Sequence, residues 1–231
     1  MPYQVYIQEK RNGHTMAHVL DLPDCIAQGN TPEEALERLP TAIPEYLAWL
    51  RAYGQEAPPE EEPIEFEVVE HNPSTSTTGL IGFYEPERVP VSEVKIEYFL
   101  RLMAHSRDTL LKLVSDLPET VLRERPPGHT RSIWDILRHI ASAERWYLSR
   151  LWDDLPRFPQ QRDVFDRLAL VREYACQRLR AMRAEDRAQV VTAGDGELWS
   201  ARKVFRRFLE HEQEHTDEIA ERLHPAGRFR R

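Results

Sequence analysis

The chain has 231 residues, 41% of them hydrophobic, and its 39 acidic against 31 basic side chains give a net charge of −8. That length suggests one large domain or two small ones, and no apolar run approaches the ~20 residues a membrane span requires. The N-terminus lacks the basic region and apolar core of a signal peptide, and there are two cysteines, Cys25 and Cys176, so free thiols in a cytoplasmic protein are expected.

Charge is unevenly divided. Residues 1–90 hold 16 acidic and 5 basic residues, a net of −11, whereas the remainder holds 23 and 26, a net of +3. The split argues for two units. An acidic first unit repels nucleic acid and suits a basic protein partner, although a solvated acidic face would look the same.

Tyr3 to Ile7 alternates like a strand with one buried face, Asn12-Gly13 is a turn signal, and Thr15 to Leu20 reads as the returning strand of a hairpin. Thr31 with Glu34 has the spacing of a capping box, and Pro32 sits where a helix tolerates proline best. The helix should run towards Tyr53, kinked or interrupted at Pro40 and Pro44. Ile64, Phe66 and Val68 alternate as a third strand. The expected order is ββαβ, a small α+β fold.

The strand pair, the turn Leu22-Pro23-Asp24-Cys25 and the run Gly29-x-Thr31-x-Glu33-Glu34-Ala35 resemble the HicB-like antitoxin domain over about residues 3–70. In that family the domain neutralises a small ribonuclease toxin and usually continues into a DNA-binding tail. No such tail is evident in this sequence, and Pro40 and Pro44 depart from the family pattern. The resemblance therefore implies a docking or regulatory module.

Residues 54–63 form an acidic, proline-rich connection to the third strand, and His71 to Thr78 is polar enough for a linker. Leu80, Ile81, Phe83 and Tyr84 are apolar and should pack on one of the two units. The expected division is a domain at 1–70, a linker at 71–91 and a second domain at 92–231.

The second domain reads as helical throughout. Helices are expected from Ser92 to about Leu117, from the Ser132-x-x-Asp135 capping box to about Asp153, from about Asp163 to Met182, and from about Ser200 to Leu223. Pro and Gly breaks between four helices of this length imply a four-helix bundle.

On the last helix Val204, Phe208, His211, His215 and Ile219 form the apolar stripe of an amphipathic helix, with histidine at two core positions. On the second, His139 shares a face with Ile136, Ala143 and Trp146. All three imidazoles can point into the bundle, where each needs a hydrogen-bond partner or a metal ion. Ordinary hydrogen-bonded histidines are the competing reading, and an isolated His-x3-His pair alone would not displace it.

The segments Ser132–Glu144 and Phe208–Ile219 resemble DinB-like (damage-inducible, YfiT-related) four-helix bundles over about residues 92–224. Bundles of that family carry one metal-binding histidine in the second helix and two in the fourth, which correspond here to His139, His211 and His215. Characterised relatives include metal-dependent S-transferases that use a low-molecular-weight thiol and a thiol-dependent isomerase. The resemblance thus implies a divalent transition metal, room for a thiol cosubstrate, and a homodimer; imidazole does not choose strongly among Zn, Ni, Fe and Cu, and Zn or Ni is expected first. Three imidazoles leave the ion its full charge and an open position for water, thiol or a small-molecule substrate.

Asp135, Glu212, Glu214 and Glu218 are candidates to orient the imidazoles, or else plain helix carboxylates. Trp146 could wall a substrate pocket or simply pack in the core. Cys176 in the core would close the site as a fourth ligand; as a small buried residue it would not. The tail Arg228–Arg231 is too short to argue for nucleic-acid binding. Two functions stay open: a metal-dependent transferase or hydrolase with a HicB-like regulatory domain, and a non-enzymatic stress-response or toxin–antitoxin module whose metal is structural.

Overall fold

The computed structural model describes residues 1–10, 13–59, 63–72, 82–159 and 163–224. Asn12 of the turn, linker residues 73–78, Leu80, Ile81 and the tail 228–231 lie outside them. The chain divides into two compact units, Met1–Pro86 and Glu87–Phe229.

In the first unit, strands β1 (Tyr3–Glu9), β2 (Thr15–Val19), β3 (Ile26–Gly29) and β4 (Phe66–Asn72) and helix α1 (Pro32–Ala52) form an α+β fold. The sheet order is β3-β2-β1-β4, with β1 parallel to β4 and antiparallel to β2. Ala35, Leu39, Ile43 and Leu47 bury one face of α1, which lies against β2 and β3.

Two details differ from expectation. The order is βββαβ, because Ile26–Gly29 pairs with β2. Four residues between a turn and a capped helix are too few for a visible alternation. Helix α1 also runs unbroken through Pro40 and Pro44. Both prolines are exposed and four residues apart, so the carbonyls they leave unbonded share one outer face, where water can satisfy them. At the helix start, Thr31 Oγ1 accepts from the Glu34 N–H at 3.2 Å, while the Glu34 carboxylate accepts from the Asn30 N–H at 2.8 Å, one residue earlier than the expected box.

The second unit is a helical bundle. Its long helices are α2 (Glu93–Val114), α4 (Ile133–Leu148), α5 (Val164–Arg180) and α7 (Ala201–Leu223), joined through short helices α3 (Glu119–Arg123) and α6 (Ala184–Ala188) and a hairpin of β5 (Val190–Thr192) and β6 (Leu198–Ser200). Ser92, Ser132, Asp163 and Ser200 cap the four long helices, as polar N-cap residues should. Helix α4 stops at Leu148, short of the expected Asp153. The hairpin occupies sequence read as loop, and Gly196 (φ 88°) supplies the positive φ of its turn. Around the bundle α2 lies beside α7, α7 beside α4, α4 beside α5, and α5 beside α2. Leu110, Leu137, Ile140, Val171 and Ile219 are among the fully packed core residues. No helix among the described residues is long and apolar enough to cross a membrane.

Candidate metal centre

Neighbouring helices α4 and α7 carry the three histidines. On α7, the stripe of Val204, Phe208, His211, His215 and Ile219 is buried along its whole length. His139 differs from expectation: it lies on α4 at an exposed position. The trio therefore sits at the edge of the bundle, with one ring open to solvent.

The three rings converge. Centroids of His139 and His211 are 4.9 Å apart, those of His139 and His215 5.0 Å, and those of His211 and His215 4.5 Å. One nitrogen from each ring can be chosen so that all three lie within 4.8 Å of one another. The Nε2 atoms of His139 and His211 are 3.1 Å apart. Two imidazoles on one ion, each at about 2.0–2.1 Å and near a right or tetrahedral angle, place their nitrogens roughly 2.9–3.4 Å apart. That pair already has the spacing of two ligands to one ion, and a nitrogen of His215 lies within 4.8 Å of both.

Protonation favours ligation as well. The Nδ1–H of His215 donates to Glu218 Oε2 at 2.7 Å, so in the neutral ring Nε2 is the nitrogen left to coordinate. That hydrogen bond is the main cause holding the Glu218 carboxyl down to about 2, with the charges of His215, Arg222 and Arg131 adding to it against the effect of burial. Burial, then the charges of His215 and Arg207, push His211 far below the usual histidine range. Burial and the charge of His215 also lower His139. His139 and His211 are thus neutral near pH 7, the form that binds metal.

Residues 102–219, about half of the chain and the segment that holds all three histidines, match the model of the DinB superfamily. The chain belongs to the DinB superfamily. Its N-terminal unit belongs with the HicB-like UPF0150 proteins: the chain is 34% identical over 58 residues, 25% of its own length and 84% of the relative's, to a UPF0150 protein of Thermoplasma acidophilum. A solved structure of Bacillus subtilis YfiT, described as a probable metal-dependent hydrolase with an unusual four-helix bundle topology, aligns at 14% identity with a TM-score of 0.46, over 63% of this chain and 95% of that one.

The other candidate residues of this DinB-superfamily bundle divide. Glu218 is at the trio. Asp135 instead caps α4, accepting from the Ser132 N–H at 3.1 Å and pairing with Arg125 at 3.0 Å; these contacts hold its pKa down. Glu212 follows His211 in the chain, but it pairs with Arg107 and Arg172. Glu214 pairs with Arg207 at 3.2 Å. Trp146 stands two helical turns, roughly 10 Å, along α4 from His139. It meets Tyr147, Trp199 and the Arg150 guanidinium. Cys176 is a free, partly buried thiol and is no part of the cluster found among the described residues.

Two features were not foreseen. Tyr147, not Trp146, flanks the trio: its ring lies 5.7 Å from that of His211, and its hydroxyl accepts from Arg207 at 3.4 Å. Four buried charges, Arg107, Glu144, Arg172 and Glu212, also form one ion-paired array across the bundle. Each stands in an apolar stripe of its helix: Arg107 with Met103, Leu110 and Val114; Glu144 with Leu137, Ala141 and Leu148; Arg172 with Leu168, Ala175 and Leu179; Glu212 with Phe205 and Leu209. A charged residue at a core position was the available signal, the same one that marks the histidines.

Proposed function

We propose that His139, His211 and His215 hold one divalent transition metal, Zn or Ni foremost, and that the bundle is a metal-dependent enzyme, a thiol S-transferase or a hydrolase. The observation that carries this reading is the convergence of three imidazole nitrogens from α4 and α7, two of them at 3.1 Å. The donor set fits: three nitrogens, two of them on rings held neutral, with Glu218 orienting His215. Bound there, the ion would act as a Lewis acid and bring the pKa of a water or low-molecular-weight thiol in its open position towards neutrality. The chain's residues do the rest. Exposed His139 keeps the site accessible, Glu218 retains the Nδ1 proton of His215, and Tyr147 with its aromatic neighbours screens the inner side from water.

The test has two stages. Purified protein is assayed for stoichiometric metal and its coordination by X-ray absorption; the metal-loaded form is then offered electrophilic acceptors with and without a low-molecular-weight thiol. Three nitrogen ligands plus light-atom solvent and turnover support the reading. Absence of metal after reconstitution rejects it, and a fourth protein ligand with no turnover favours a structural ion.

The N-terminal unit supports a second, compatible role as a docking or regulatory module. Its net charge of −11 over residues 1–90 suits a basic protein partner by electrostatic complementarity. A salt-sensitive complex recovered with basic small proteins would support that role, and a salt-insensitive one would count against it.

A further inference from the structure

We propose that Arg107, Glu144, Arg172 and Glu212 are positioning residues, which fix the register of α4 against α7 and thereby the spacing of the three histidines. This rests on the metal-centre reading above. One charge comes from each long helix, and all four are at least nine-tenths buried.

The connectivity is what points to register. Arg107 donates from Nε to Glu212 Oε1 at 2.5 Å and from Nη2 to Glu144 Oε1 at 2.6 Å. Arg172 donates from Nη2 to Glu212 Oε2 at 2.8 Å and also reaches Glu144 Oε1, from Nε at 3.1 Å and from Nη2. Both guanidinium groups therefore bridge the same two carboxylates, and those stand on the helices that carry the histidines. Glu212 follows His211 directly; Glu144 lies five residues beyond His139. The outer helices are tied in through backbone carbonyls. Arg172 Nη1 donates to Met103 O at 2.7 Å, on α2, and Arg107 Nη1 donates to Leu168 O at 3.1 Å, on α5.

Apolar packing holds helices together but tolerates sliding and repacking. A slide of α4 along α7 would here unpair charges in a dry interior, where an uncompensated ion is most costly. The array is therefore directional in a way the leucine-rich core is not. Buried ionic arrays seldom stabilise a fold over apolar residues of similar volume, so positioning and stability can be tested separately.

The experiment uses the full chain and Co(II), whose d–d absorption reports ligand geometry and whose affinity is read by competition with a chelator. In the variant Arg107→Met/Glu144→Leu/Arg172→Met/Glu212→Leu, helicity and melting temperature should be kept, while Co(II) affinity falls by roughly tenfold or more and the d–d bands shift. A folded quadruple variant with parental affinity and spectrum overturns the proposal. Should that variant not fold, Arg172→Lys decides against Leu110→Ala, a core truncation that leaves the array intact. Arg172→Lys should weaken Co(II) binding, and Leu110→Ala should lower the melting temperature with binding unchanged. Equal loss of binding in both overturns the positioning role. Parent protein that takes up no Co(II) overturns the metal reading itself.

Discussion

Nδ1 of His215 and Oε2 of Glu218 lie 2.7 Å apart, one turn along α7. In the neutral ring the contact assigns the proton to Nδ1 and leaves Nε2 for coordination. Glu218→Gln should therefore leave the fold intact but weaken metal binding roughly 10–100-fold. Chelator competition measures this, and affinity within twofold of the parent would remove Glu218 from the site.

His139→Ala tests the trio most cleanly, because the ring is exposed and its loss opens no core cavity. Metal-free stability should change by no more than about 0.5 kcal/mol, while stoichiometric metal binding is lost. Retained binding would show that His211 and His215 suffice.

Asp135 supplies a negative control. Asp135→Ala removes the cap that serves the Ser132 N–H and should cost about 1 kcal/mol of stability. Metal affinity should not change, and a fall comparable to that of Glu218→Gln would return Asp135 to the site.

Metal-free protein should lose stability in mild acid. His139 and His211 are held below the ordinary histidine value near 6.5, so as pH falls through 6.5 the unfolded chain binds protons there before the folded chain does. Stability is unaffected above that value and declines below it. Glu218, held down to about 2, adds a separate loss between about 4.5 and 2. Melting temperatures between pH 7.5 and 5.0 should fall in the parent and fall less in His211→Asn. Parallel curves would contradict this assignment.

Lys203 predicts a second rise of stability with pH, in an alkaline window. Its buried ammonium donates to Leu198 O at 2.8 Å and lies 4.3 Å from the Trp199 ring centroid; burial, then the charge of Arg206, bring its pKa down to about 7. An unfolded lysine titrates near 10.4. Between the two values the unfolded chain holds the extra proton, so this group's contribution to stability rises with pH. Lys203→Met should flatten that rise in melts from pH 7 to 9.5, and a parent curve already flat would refute it.

Local chemistry was legible in the sequence. A hydroxyl or carboxylate ahead of an apolar periodicity marked Ser92, Ser132, Asp163 and Ser200, because a cap answers to residues within one turn. The α7 histidines were legible through their stripe, since core positions follow from periodicity. What spans long chain separations was not. Arg107 and Glu212 stand at core positions, but their pairing 105 residues apart depends on how four helices assemble. Trp146 shares the heptad face of His139, yet its ring packs on Trp199 and the Arg150 guanidinium, while Tyr147, one residue on, meets His211 of α7. Strand β3 and the β5–β6 hairpin are too short to announce a period.

Helix α7 is buried almost throughout, and its charges are met by protein: Arg206 by Glu87 and Glu210, Arg207 by Glu210 and Glu214, Glu212 by Arg107 and Arg172. These contacts hold α7 in place by protein groups alone, so the bundle is expected to fold without an ion, unlike small domains that fold around their metal. Chelator treatment should yield a folded receptor that reloads, and the order of events in the cell would be folding first and metallation second, with the choice of ion left to whichever supply the exposed edge at His139 meets.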